Sequence, residues 1–206
     1  GLLIILIISV STSINIFILV AACCFLGYLY QGPPFRLGYQ GLGEPLCWLA
    51  FGPFAYSAVL IALNPSNIYF EDIPWKVSLL LGSGPSLATT LVLFCSHFHQ
   101  ISEDKKHGKN SPLVRLGAKK GSQFVPWIIF TIYIFQLFTI VYGFIPVFCI
   151  LYLLSFPQAT RLINLLKSSY AKPSAIKNCK FIAIKFQTLN GVGLITGLIF
   201  NYLLNK

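Results

Sequence analysis

Apolar residues fall along this chain in long blocks, each ended by a short polar or Gly/Pro-rich break. A block of about 20 mostly apolar residues is long enough to cross a bilayer as a helix. Residues 2–10 make an apolar half-span, and 11–15 a turn. Residues 16–30 are apolar and stop at Gly32-Pro33-Pro34, which cannot continue a helix. Residues 46–63 form the next span, kinked at Gly52-Pro53, and 64–74 a turn-rich loop carrying Glu71 and Asp72. Residues 75–98 form a further span, loosened by Gly82, Gly84 and Pro85. A long polar loop then runs to about Ser122. The apolar stretch 124–156 is too long for one perpendicular crossing at about 1.5 Å per residue. Splitting it near Tyr142-Gly143 gives a tight hairpin of two helices. Residues 157–180 are basic and polar, and 181–204 form the last span, with Lys185 near its start. The pattern predicts an all-α fold, a polytopic transmembrane helical bundle of about five complete spans and one partial span. Such spans pack together, so residues 1–206 are expected to form a single domain.

Composition agrees. Hydrophobic residues make up 56% of the chain and charged residues 10%, against about 25% charged in a soluble domain. Alternating crossings put loops 31–45, 99–122 and 158–180 on one side, and these hold twelve of the fifteen Lys and Arg. Lys185 snorkels to the same face, while Lys76 and Lys206 lie opposite with Glu71 and Asp72. The basic loops should face cytoplasm or stroma. Without the break at Gly143 the last basic loop would fall on the wrong side. The net charge of +10 therefore reads as membrane topology, with the bilayer as partner and no nucleic acid. Six cysteines lie mostly in apolar segments without paired CxxC spacing, as expected of reduced, packed thiols. The chain has no Met and opens inside an apolar run, so Gly1 is expected to lie within a helix of a longer protein.

Charge is concentrated between Ser96 and Lys120, in a mixed acidic and basic stretch at a membrane boundary. Charge near lipid is costly, which marks the stretch as a functional candidate. If the preceding helix continues, Gln100 and Asp104 are i,i+4 neighbours, as are Lys105 and Lys109. Glu103 points about 100° away, within reach of His99 and His107. Acids beside a basic cluster suit Mg²⁺ carrying a phosphate, since Mg²⁺ takes a few carboxylates plus water and phosphate oxygens. A solvated salt-bridged loop has the same spacing. Cys95, His97 and His99 match no closed zinc site. The Gly/Pro-dense loop from Tyr30 to Glu44 would hold Arg36, Tyr39 and Glu44 at the same face as Asp104, with Arg36 its only cation. Some of the eighteen Phe would line an apolar tunnel, and the rest face lipid or core.

Two strings carry a resemblance. The first is Tyr30, Gly32-Pro33-Pro34, Arg36-Leu37, Tyr39 and Gly41-Leu42-Gly43-Glu44. The second is His97-Phe98-His99-Gln100, Glu103-Asp104, Gly108-Lys109, Ser111-Pro112 and Val114-Arg115-Leu116-Gly117. Together they resemble the 1,4-dihydroxy-2-naphthoate prenyltransferase family within the UbiA superfamily, over essentially the whole chain. The His-Phe-His-Gln and Ser-Pro features look most like the cyanobacterial and plastid branch. That implies a phytyl-type donor, phylloquinone or menaquinone synthesis, and a plastid or cyanobacterial membrane. The family implies a nine-helix bundle whose two Asp-rich loops bind Mg²⁺ and prenyl diphosphate at one face. This chain matches the second loop. The first is expected upstream of Gly1, making the chain the C-terminal two-thirds of an enzyme and inactive alone.

The resemblance implies alkylation of a bicyclic aromatic acceptor by an allylic cation, with loss of CO₂. Many superfamily members carry Asp at the position of Gln100, so Asp104 matches best as the metal ligand, with Glu103 supporting. Lys105, Lys109 and Arg115 are the candidates for diphosphate contacts, and Arg36 and Tyr39 for anchoring diphosphate or acceptor. Gln100, His99 and Tyr30 complete the expected substrate-binding set. Homogentisate or chlorophyllide are the alternative acceptors. A transporter would place ionisable groups nearer the bilayer midplane, and a structural subunit would not need the paired loop.

Overall fold

Each apolar block folds as a helix in the computed structural model, which describes residues 2–64, 71 and 73–206. The expected position of Gly1 inside a helix, and most of the expected 64–74 loop with Asp72, lie outside the described residues. A short helix α1 (Leu2–Ser11) precedes α2 (Ile14–Gln31). The Ser13 hydroxyl caps α2 by accepting from the Asn15 N–H, and Gly32-Pro33-Pro34 ends it. Next come α3 (Gly43–Leu49) and α4 (Ala55–Leu63), joined without a break by a π-helical turn, Ala50–Phe54. Pro53 sits in that turn, where its missing N–H widens the helix.

Helix α5 (Trp75–Ser96) leads through a 3₁₀ turn, His97–His99, into α6 (Ile101–Lys106). Then follow α7 (Pro112–Val141), a 3₁₀ segment (Val147–Ser155), α8 (Phe156–Ser169), α9 (Pro173–Ile176) and α10 (Cys179–Leu204). Among the described residues, six helical stretches are long and apolar enough to cross a membrane, beside the short α1. They run over Ile14–Gln31, Gly43–Leu63, Trp75–His99, Pro112–Val141, Val147–Ser169 and Pro173–Leu204.

The break expected near Gly143 is present: α7 ends at Val141 and Gly143 takes a positive φ of 72°. Two boundaries differ from expectation. The polar loop is shorter, because Pro112 starts α7 ten residues before Ser122. Proline is favoured at a helix's first position, and Gly117, at φ 76°, kinks the basic first turns onto the apolar body. The hairpin's second arm also runs past Phe156 to Ser169, because its basic residues lie on an exposed face while Leu162 and Leu166 stay buried.

Helix α5 is central, packing on α3, α7 and α10. Lipid is as apolar as leucine, so such helices hold together by close contact and polar clasps. A Cβ on Gly82 would touch the Gly52 backbone at 3.0 Å, and one on Gly193 or Gly197 would overlap the Leu151 or Cys149 backbone. Deep in the bundle, the Gln136 and Asn190 side chains exchange two hydrogen bonds, at 2.6 and 3.0 Å. The Cys95, Cys149 and Cys179 thiols are fully buried and free.

Three connections gather at one end. The Asn110 N–H donates to the Tyr39 carbonyl at 2.7 Å, and the Arg115 guanidinium donates to the Gln40 carbonyl. Gly41, at φ 79°, lets the loops touch, since a Cβ there would meet the Asn110 carbonyl at 2.6 Å. At the start of α10, the Cys179 thiol donates to the Cys95 carbonyl at 3.1 Å.

Two expectations follow from these contacts. Gly193→Leu forces α10 off the 3₁₀ segment at a cost of about 1–3 kcal/mol, read as a lower thermal midpoint in detergent. Gly191→Leu, with nothing within 4 Å of its Cβ, leaves that midpoint unchanged. Arg115→Ala releases the first loop, so tryptic cleavage after Arg36 accelerates about tenfold, the loss of one charged hydrogen bond. An unaltered cleavage rate would show that the clasp holds nothing.

Candidate active site

Four charged or ionisable groups meet at that end, three on helical elements and Lys109 on the loop after α6. Glu44 lies in the first turn of α3, His97 in the 3₁₀ turn after α5, and Asp104 on α6. Gly108, at φ 68°, reverses the chain so that the Lys109 N–H donates to the Asp104 carbonyl at 2.8 Å. The Lys109 ammonium then stands 3.5 Å from Asp104 Oδ1 and 3.4 Å from His97 Nε2. His97 Nδ1 lies 3.2 Å from Glu44 Oε1. An ammonium can only donate, so Nε2 accepts and Nδ1–H donates to Glu44, which fixes the tautomer. His97 is 3% exposed and Asp104 8%. At the two ends of this chain, Glu44 Oε2 and Asp104 Oδ2 are buried without a hydrogen-bond partner. Buried carboxylate oxygens are rarely left so.

Two cavities adjoin the chain. A polar one of about 250 Å³ is lined by Gln31, Tyr39, Gln100, Glu103, Asp104, His107 and Lys109. An apolar one of about 840 Å³ is walled by α2, α3, the π turn, α4, α5 and Gln187 of α10. Tyr30 lines the apolar cavity and also stands within the fields of Glu44 and Asp104. Its ring packs on Gly43, where a Cβ would come within 2.7 Å. The border between polar rim and apolar chamber therefore runs along Tyr30.

Of the residues singled out in the sequence, Tyr39, Gln100, Glu103, Asp104 and Lys109 share the polar cavity, and Tyr30 stands beside it. Gln100 and Asp104 keep the expected spacing, the Asp104 N–H donating to the Gln100 carbonyl at 2.7 Å. Lys105 and Lys109 do not share a helical face, because α6 stops at Lys106 and Gly108 turns Lys109 inward. Lys105 is exposed. Arg36 is exposed too, its guanidinium 5.9 Å from the Tyr39 ring centroid. Arg115 is engaged with Gln40. His99 lies near Lys177, Lys180 and Glu103, with Nδ1 buried and unpartnered. His107 Nδ1–H donates to the Glu103 carbonyl at 2.9 Å, where a side-chain contact was expected.

The Glu44–His97–Lys109 links were not foreseen. The available signal was Glu44 itself, an acid at the mouth of an apolar block, which needs a buried partner.

The Glu103 and Asp104 carboxylates at the polar cavity are hard oxygen donors of the kind that suits Mg²⁺. Asp104 Oδ2 has a free lone pair there, and Glu103 stands on the rim. Among the described residues no group of three or more His, Cys, Asp and Glu could hold a metal by itself. A cation here would complete its shell with water and phosphate oxygens, as Mg²⁺ commonly does.

The model of the UbiA prenyltransferase family matches residues 1–184. The chain is 38% identical over 179 residues to a 2-carboxy-1,4-naphthoquinone phytyltransferase of Synechocystis sp., covering 87% of this chain and 56% of that protein. It is 38% identical over 191 residues to a chloroplastic 2-carboxy-1,4-naphthoquinone phytyltransferase of Arabidopsis thaliana, covering 92% of this chain and 50% of that one. The chain thus spans about half the length of the curated relatives it matches. No solved structure matches it significantly. With apolar crossings, a charged rim and a match over most of its length, this multi-pass membrane chain belongs to the UbiA prenyltransferase family.

Proposed function

We propose that the protein is a membrane prenyltransferase. It attaches a phytyl or polyprenyl chain, delivered as its diphosphate, to a 1,4-dihydroxy-2-naphthoate acceptor (2-carboxy-1,4-naphthoquinone when oxidised). The step belongs to phylloquinone or menaquinone synthesis in a plastid or cyanobacterial membrane, and the names of the matched relatives support that assignment. The observation that carries it is the unpartnered, buried Asp104 oxygen at a polar cavity, set one side chain away from a large apolar chamber. A prenyl diphosphate has the same division, with an anionic head joined to a long apolar tail.

On this reading the allylic C–O bond of the donor breaks and diphosphate leaves with the bonding electrons. The acceptor ring carbon bearing the carboxylate forms the new C–C bond. The C–CO₂ electron pair returns to the ring as CO₂ departs. Asp104, backed by Glu103, would hold Mg²⁺, which would supply charge compensation to the leaving diphosphate. Lys109, oriented by His97 and Glu44, adds a fixed positive charge beside it. Gln100, Tyr39 and His107 hydrogen-bond the headgroup from the cavity wall. Tyr30, at the border of rim and chamber, is the aromatic ring that would stabilise the allylic cation.

The test uses membranes bearing the protein at full length, a prenyl diphosphate and the naphthoate acceptor. Product forms in wild type, a chelator stops it, and added Mg²⁺ restores it. Asp104→Asn lowers turnover about a hundredfold, the scale of losing one electrostatic contact to a leaving group. Wild-type turnover from that variant, or indifference to chelation, overturns the assignment.

A further inference from the structure

The wall of the apolar chamber carries four side chains with a hydroxyl or an amide: Tyr30, Thr89, Ser96 and Gln187. The Ser96 hydroxyl donates to the Leu93 carbonyl at 2.6 Å, and the Thr89 hydroxyl to the Pro85 carbonyl at 3.2 Å. Both protons are thus spent on α5 itself. The Gln187 amide donates to the Thr89 hydroxyl at 2.7 Å, which uses one of its two N–H groups. Its other N–H and its Oε1 have no hydrogen-bond partner among the described residues. Gln187 therefore faces the chamber with one donor and one acceptor to offer, in a position fixed by Thr89. Thr89 lies eight residues before His97, which sets the pair about 12 Å from the charged rim along α5. Pockets of this kind use a few polar groups in an apolar wall to orient what they bind.

An isoprenoid tail has no hydrogen-bonding group, so covering Gln187 with it would desolvate an N–H and a carbonyl for nothing in return. The aromatic acceptor has the missing groups. In 1,4-dihydroxy-2-naphthoate the 1-oxygen sits beside the carboxylate, and the 4-oxygen lies across the ring. With the carboxylate kept at the charged rim, the 4-oxygen points into the chamber. It is a hydroxyl in the reduced acceptor and a carbonyl in the oxidised one. A carboxamide meets either, through Oε1 in the first case and N–H in the second. Resting on the prenyltransferase reading, we propose that Gln187 binds the 4-oxygen of the naphthoate acceptor and selects acceptors that carry one. Thr89 is its positioning residue. The contact is local, so it holds whether the chamber is closed or open toward lipid.

The test is a competition, in membranes bearing the full-length protein, between 1,4-dihydroxy-2-naphthoate and 1-hydroxy-2-naphthoate for one prenyl diphosphate under reducing conditions. The ratio of the two products depends only on active molecules, so partial loss of folded protein does not affect it. The intrinsic reactivity of the two rings is the same with every variant and cancels when variant and wild type are compared. Gln187→Leu, similar in size but without the amide, lowers the preference for the 4-hydroxy acceptor about tenfold, the scale of one lost hydrogen bond. Thr89→Val, nearly the shape of threonine, shifts the preference the same way because the amide loses its hold, whereas Thr89→Ser keeps it. A wild-type preference in either Gln187→Leu or Thr89→Val overturns the contact, as does a Thr89→Ser that behaves like Thr89→Val. Absence of product from wild type with both acceptors overturns the prenyltransferase reading, and the contact with it.

Discussion

Two hydrogen bonds between loops decide whether this protein has a polar site. They run from the Asn110 N–H to the Tyr39 carbonyl and from the Arg115 guanidinium to the Gln40 carbonyl. Glu44 follows the first loop in sequence, and Asp104 precedes the second. Apart, each carboxylate would meet water or lipid alone. Together, through His97 and Lys109, they form one buried chain. Taking charges out of water costs several kcal/mol each unless each is paired. Docking of the loops is therefore what makes the burial tolerable.

The pairing is also incomplete in a directed way. Asp104 has the Lys109 ammonium beside Oδ1, and its buried Oδ2 is left without a partner. Glu44 reaches that ammonium only through His97, and its Oε2 is likewise unpartnered. On the proposed function, a cation entering with an anionic headgroup would complete the pairing at Asp104.

The sequence made the fold legible where physics is local. The succession of apolar helices and the Gly143 break follow from hydropathy and glycine, and both appear in the structure. Half of the site was legible for the same reason: Gln100 and Asp104 are one helical turn apart, and the structure keeps that turn. Lys109 was placed on the wrong face because its position depends on Gly108, whose positive φ ends the helix. Arg36 and Arg115 look alike as cations in neighbouring strings. Only the tertiary docking shows one stacked on Tyr39 and the other spent on a carbonyl. The His97 links join residues 53 and 12 apart, which no periodicity encodes.

The apolar chamber is made by omission. Its walls are mostly small or slender residues such as Gly27, Ala50, Ala55, Ala58, Val20 and Val92, with Phe51 the sole phenylalanine. Most of the bulk faces outward: Phe25, Phe130, Phe138, Phe181 and Phe200 are exposed on the bundle surface. Phenylalanine abundance therefore reports contact with lipid far more than a tunnel lining. Apolar walls around about 840 Å³ favour an apolar occupant through dispersion contacts. On the proposed function, a tail tethered to a headgroup at Asp104 and Lys109 would enter at high effective concentration and displace free acyl chains. The polar rim and the small-residue chamber would then act as one binding site. Each half selects weakly, and the proposed donor, with both a diphosphate and an isoprenoid chain, would satisfy the two at once.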